Sequence, residues 1–237
     1  MKDSIKSYIA EGIGMALLLF FGCGTILFAY SSVGVIGVAI AFALVYVFCF
    51  YTICKKTGCH INPLVSFAMM LDKKIDKKTF GFYVLAQLIG SVCGCFLLMI
   101  ICFSCKTSGS ILSNFIICNG FDSYSQLHIT VWGAIIIELI CTFCFVLFFL
   151  ASQKIKKMEK FRGVFIGLLF ALLILFSFQC TGACLNPFRA LSPALCALGF
   201  GAIEPIIQFP VFLLATAAGS YLAVILYRVL DKKDLLK

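Results

Sequence analysis

The stretch TGCHINP, Thr57–Pro63, returns later in the chain as TGACLNP, Thr181–Pro187, and this pair decides the fold. Thr, Gly, Asn and Pro match at a constant offset of 124 residues. Each copy is polar and contains glycine, yet each follows an apolar run and precedes another. In a bilayer, irregular backbone is tolerated only where protein or water surrounds it. The two stretches are therefore either plain surface loops or the working centre of a membrane protein.

Composition places the chain in a membrane. Of 237 residues, 62% are hydrophobic and 12% charged, against about 25% charged in soluble domains, and the mean hydropathy is +1.11. A spanning helix needs about 20 apolar residues. Six spans are predicted, near Tyr8–Phe28, Val35–Ile53, Phe80–Cys102, Ile129–Ala151, Val164–Phe178 and Ile206–Leu230. Nothing alternates with a period of two, which excludes a transmembrane barrel. The first run has lysines ahead of it, as a signal peptide would, but it is too long and Glu11 interrupts its start; it is predicted to stay.

The net charge of +9 does not point to nucleic acid, because of where the charge lies. With six spans, every Lys and Arg except Lys106 and Arg189 falls on one side, Lys55, Lys56 and Lys154 among them. The positive-inside rule makes that side cytoplasmic and places both termini there. Most of the fourteen cysteines lie inside spans, where they act as small apolar residues. Cys105 and Cys118, in the outer loop, are left open as a pair.

The match extends beyond the two loops. Glu11 lies 51 residues before Asn62 and Glu138 lies 48 before Asn186, so the chain is two copies of one unit. The first repeat covers about residues 1–103 and the second about 129–237, with an outer connecting loop over 104–128, all in a single domain of 1–237. Three spans per repeat is an odd number, so the halves are inverted relative to each other. Each Asn-Pro is followed by an apolar stretch too short to span, Leu64–Leu71 and Phe188–Leu198. Asn is a strong N-cap and Pro is favoured at the first helical position. The expected fold is thus an all-α membrane protein of six transmembrane helices and two re-entrant half-helices that meet, N-terminus to N-terminus, at the midplane.

These residues resemble the aquaporins, or major intrinsic proteins, a family of water channels and glycerol facilitators. AEGIGMALLLFFGCGT (Ala10–Thr25) is similar to the family's first span, AQLIGS (Ala86–Ser91) to its third, and HINPLVSFAM and LNPFRALSPA to its two asparagine-proline-alanine boxes. The alanine of each box is Leu64 in one half and Phe188 in the other, departures that bear on the midplane packing. The resemblance implies a homotetramer in the plasma membrane, surrounded by lipid, with no cofactor and no metal. It makes Asn62 and Asn186, with Pro63 and Pro187, the midplane of a pore, and it makes Glu11 and Glu138 supports for the loops. The carbonyls of Gly58, Cys59, His60 and Ile61, with those of Gly182, Ala183, Cys184 and Leu185, become an acceptor ladder. Counting from the boxes, the family's outer constriction falls on Phe42, Ile174, Ala183 and Arg189. Cys184, next to Ala183, is the thiol expected to face the path.

The expected function is a passive channel for water and small uncharged solutes of the glycerol or urea class, excluding protons and ions. Two helix N-termini, each acting as about half a positive charge, repel a cation about 5 Å away by roughly 3 kcal/mol at an effective dielectric near 20. A glycerol-selective facilitator, a secondary transporter and a non-conducting homologue occluded by Leu64 and Phe188 are the alternatives. An enzyme is disfavoured, because two His and two widely separated intramembrane Glu make no catalytic constellation.

Overall fold

A computed structural model describes residues 2–53, 57–105, 117–232 and 235, and among them all regular structure is helical. Lys55, Lys56, Lys106 and residues 107–116 of the connecting loop lie outside the described residues.

Helix α1, Lys2–Tyr51, takes in both the first and second expected spans. Five helices among the described residues are therefore long and apolar enough to cross a bilayer, where six spans are expected. The cause is Gly34, at φ 59° and ψ −164°, a region open to glycine because it has no Cβ. The chain folds back there, with helix on both sides of Gly34. Along a straight helix, residues 14 and 49 would stand about 52 Å apart. Instead Cys49 Sγ approaches Gly14 O to 4.0 Å, and a Cβ on Gly22 would meet the Phe42 ring at 2.2 Å. The two arms of α1 lie antiparallel, one before Gly34 and one after.

The remaining helices are α2 (Pro63–Leu71), α3 (Lys77–Ser104), α4 (Val131–Ser152), α5 (Arg162–Thr181), α6 (Pro187–Leu198) and α7 (Glu204–Lys232). At 20 residues α5 is longer than the predicted Val164–Phe178 and reaches about 30 Å. Its C-terminal turn is polar: the Ser177 hydroxyl donates to the Leu173 carbonyl at 2.8 Å, as a serine inside a helix commonly does.

Side-chain contacts sort the helix ends onto two faces. On the terminal face, Tyr8 stacks on Phe82, Tyr51 donates to the Lys160 carbonyl, and Lys154 pairs with Asp231 at 2.8 Å. On the opposite face, Tyr30 contacts Gln126 and Phe178, and Phe103 packs on Phe200. The short helices α2 and α6 start in the interior and run to opposite faces. They cover about 14 Å and 18 Å, together close to the roughly 30 Å of a hydrocarbon core.

Each half is drawn tight by close backbone approaches. A Cβ on Gly90 of α3 would lie 2.0 Å from the Gly12 carbonyl oxygen of α1, and one on Gly219 of α7 would lie 2.3 Å from that of Leu139 on α4. The small residues let helix backbones touch, as membrane helix packing favours.

Candidate functional site

The two matched loops share one backbone geometry. Gly58, Cys59 and Ile61 take φ of 86°, 55° and 36°; Gly182, Ala183 and Leu185 take 76°, 54° and 53°. The offset is again 124 residues. Left-handed non-glycine residues cost of order 1–3 kcal/mol each and persist only where their surroundings hold them.

Two buried carboxylates do the holding. Glu11 Oε1 accepts from Thr57 Oγ1 (2.6 Å) and the His60 N–H (2.9 Å), while Oε2 accepts from the Ile61 N–H (2.6 Å) and Gln87 Nε2 (2.8 Å). Glu138 repeats the arrangement: Oε1 accepts from Thr181 Oγ1 (2.5 Å) and the Cys184 N–H (2.9 Å), and Oε2 from the Leu185 N–H (3.0 Å). Both carboxylates are fully buried, and every donor they meet is polar. The matched threonines are thus carboxylate partners, and Gln87 is a further one that motif reading leaves unassigned. His60 is also buried, its Nδ1 3.0 Å from Ser66 Oγ and its ring edge-on to Tyr83 and Phe149.

With the N–H groups turned toward the glutamates, the asparagines join the halves. Asn62 Oδ1 caps α2 by accepting from the Leu64 N–H (2.9 Å), and Asn186 Oδ1 caps α6 by accepting from the Phe188 N–H (3.0 Å). Each amide nitrogen then crosses to the opposite loop. Asn62 Nδ2 donates to the Leu185 carbonyl at 2.9 Å, and Asn186 Nδ2 to the Ile61 carbonyl at 3.0 Å. Pro63 and Pro187 occupy the first helical turns, so two helix N-termini and two amide donors face one interior point. Leu64 and Phe188 are accommodated beside them, both buried.

Arg189, on the first turn of α6, is 3% exposed. Its Nη1 donates to the Ile117 carbonyl (2.5 Å) and Asn119 Oδ1 (3.0 Å), its Nη2 to the Gly182 carbonyl (3.1 Å), and Nε has no partner among the described residues. The guanidinium carbon sits 5.9 Å from the centre of the Phe42 ring. Phe42, Ile174 and Ala183 are 3%, 2% and 5% exposed and belong to one buried cluster. The outer loop is more than a connector, since it supplies Arg189 with two of its acceptors. It is pinned there by Asn119 Nδ2, which donates to the Thr181 carbonyl at 2.9 Å. Nothing in the spacing of Asn119 announces this, since the contact is made across 70 residues.

The ladder carbonyls are in large part already engaged: Tyr46 lies 3.0 Å and 2.9 Å from those of Cys59 and His60, Arg189 takes Gly182, and the Asn186 N–H takes Cys184. The Cys184 thiol does not join the Phe42–Ile174–Ala183 group; it packs with Ala190 and Phe212 in a separate cluster, with Sγ 3.3 Å from the Asn186 carbonyl. Cys105 and Cys118 are free thiols, and burial pushes that of Cys118 up to about 12.

The description of the major intrinsic proteins matches residues 1–227. The chain belongs to that family. As a major intrinsic protein it is 30% identical over 230 residues to Aquaporin Z of Rhodopseudomonas palustris, covering 95% of this chain and 93% of that one. It is 28% identical over 236 residues to a glycerol uptake facilitator protein-like 6 of Lactiplantibacillus plantarum, covering 97% and 100%. The fold is shared with the aquaglyceroporin of Plasmodium falciparum, at a TM-score of 0.81 and 22% identity over 94% of this chain and 95% of that one.

Proposed function

We propose that this major intrinsic protein is a passive channel for water and small uncharged solutes, with its path running between the two loops. The observation that carries the reading is the reciprocal asparagine pairing, which sets two capped helix N-termini and their amide donors at one point in the interior. Positive potential from both helix ends disfavours cations there, while neutral molecules meet only hydrogen-bonding groups. The amides of Asn62 and Asn186 orient the permeant oxygen, and Glu11 and Glu138 hold the loops. Arg189, with an unpaired buried Nε, offers a donor to the permeant and a fixed charge against cations.

Phe42 and Ile174 give the outer constriction an apolar wall opposite Arg189. That wall suits a solute with carbon on one side and hydroxyls on the other, so glycerol or urea passes more slowly than water. The lysine-bearing terminal face is cytoplasmic by the positive-inside rule, the membrane is the plasma membrane, and the assembly is a homotetramer. Stopped-flow light scattering on proteoliposomes tests the reading. Water permeability well above that of empty vesicles is expected, with a smaller glycerol component. Water permeability equal to the empty vesicles would sink it.

A further inference from the structure

We infer that Tyr46 is a specificity-determining residue at a second constriction, on the terminal-face side of the asparagine pair, where its ring and those of Phe145 and Phe170 slow solutes larger than water. This rests on the channel reading above and names where that channel sorts its permeants.

The loop lies beneath an opening on the terminal face. A depression of about 470 Å³ on the terminal face reaches inward to Gly58, with Phe50, Tyr51 and Arg162 among its walls. Gly58 is exposed, but the next residues, Cys59, His60 and Ile61, are 1%, 1% and 0% exposed. Thr57 is buried on the other side of Gly58, and from Cys59 the loop stays buried as far as Asn62. At that level the Tyr46 hydroxyl lies 3.0 Å from the Cys59 carbonyl and 2.9 Å from that of His60. One O–H shared between two carbonyls covers two acceptors that a solute following this loop would use.

The ring that carries the hydroxyl is held by others. Tyr46 stands edge-on to Phe145 at 5.9 Å between centroids and lies 5.6 Å from Phe170, and those two rings are 5.2 Å apart. The three come from α1, α4 and α5, so the layer spans three walls, and each residue is 4% exposed or less. It is also tied to the outer constriction: Tyr46 follows Phe42 by one helical turn, Phe170 precedes Ile174 by one turn, and Phe42 meets Phe170 at 6.1 Å. A molecule that has passed Arg189 and the asparagines must still cross an aromatic layer with one polar point, the phenol oxygen. Water can replace the phenol on either carbonyl and donate to it in turn. A three-carbon solute needs the ring itself to swing aside.

The test is the ratio of glycerol to water permeability in proteoliposomes of the full chain, for the native protein, Tyr46→Val, Phe170→Val and Tyr46→Phe. Each variant is first taken through size exclusion to a single symmetric peak. Tyr46→Val and Phe170→Val, which open the layer from different helices, should raise the ratio roughly tenfold, and Tyr46→Phe, which keeps the packed volume but releases the ring, by about threefold. Folded, water-conducting variants whose ratio stays within about twofold of the native value would overturn the proposal while leaving the channel reading intact. A native protein that conducts no water would instead remove the channel reading and this proposal with it.

Discussion

At the scale of single residues, the chemistry depends on a few buried polar groups with no spare partners. Arg189 is the clearest. Arg189→Val removes a fixed charge from a site 3% exposed, and at an effective dielectric near 20 such a charge is worth about 3 kcal/mol against a cation roughly 5 Å away. Proton or sodium leak, read with a dye inside vesicles, should rise by up to about a hundredfold; an unchanged leak with unchanged water flux would take Arg189 out of the constriction. Glu138→Gln turns an amide N–H₂ toward donors that both carboxylate oxygens now satisfy. Leaving one buried donor unmatched costs about 1–3 kcal/mol, so the detergent-solubilised protein should lose thermal stability, and an unaltered melting midpoint would deny the carboxylate that role. The thiol chemistry follows from position. Ala183→Cys should make water flux sensitive to mercurials, whereas Cys184→Ser should leave the native sensitivity as it is, because the Cys184 sulfur packs against Phe212 and Ala190. Abolition of a native mercurial block by Cys184→Ser would show the sulfur facing the path after all.

At the scale of elements, the helices were legible in the sequence wherever a local rule governs them. Asn-Pro announces the start of α2 and α6, since one residue caps and the next needs no N–H partner. The turn in α1 was legible as the gap between Phe28 and Val35, where Tyr30, Ser31 and Ser32 interrupt the apolar run, but its place at Gly34 was not. The layer of Tyr46, Phe145 and Phe170 was not legible at all. Aromatic residues at helical spacing in an apolar span look the same facing lipid or facing one another, and only the tertiary fold separates the cases. Helix contacts have their own test. Gly90→Ala and Gly219→Ala each drive a Cβ into a neighbouring backbone oxygen, whereas a Cβ on Gly81 of α3 meets nothing within 4 Å. Overpacking of this kind costs about 1–3 kcal/mol. The first two variants should lower the melting midpoint and Gly81→Ala should not; equal behaviour of all three would contradict the close approach.

At the scale of the whole molecule, the offset of 124 residues is a rule of construction. It sets the left-handed residues, the carboxylate-bound threonines and the crossed asparagines alike, while the two glutamates stand 127 apart. What escapes the rule is the outer loop, where Ile117 and Asn119 reach Arg189. The terminal-face half uses Tyr46 in its own way. The crossed asparagines also bear on how the protein is made. The Ile61 carbonyl accepts from an amide 125 residues further along the chain. At about 5–20 residues per second, a ribosome needs on the order of 6–25 s to reach that residue. Throughout that interval the first loop sits in the translocon or the bilayer without its partner, so the nascent first half is the form most open to quality-control proteases. A chain stopped before α4 should be degraded rapidly in cells, and co-expression of residues 129–237 should prolong its life.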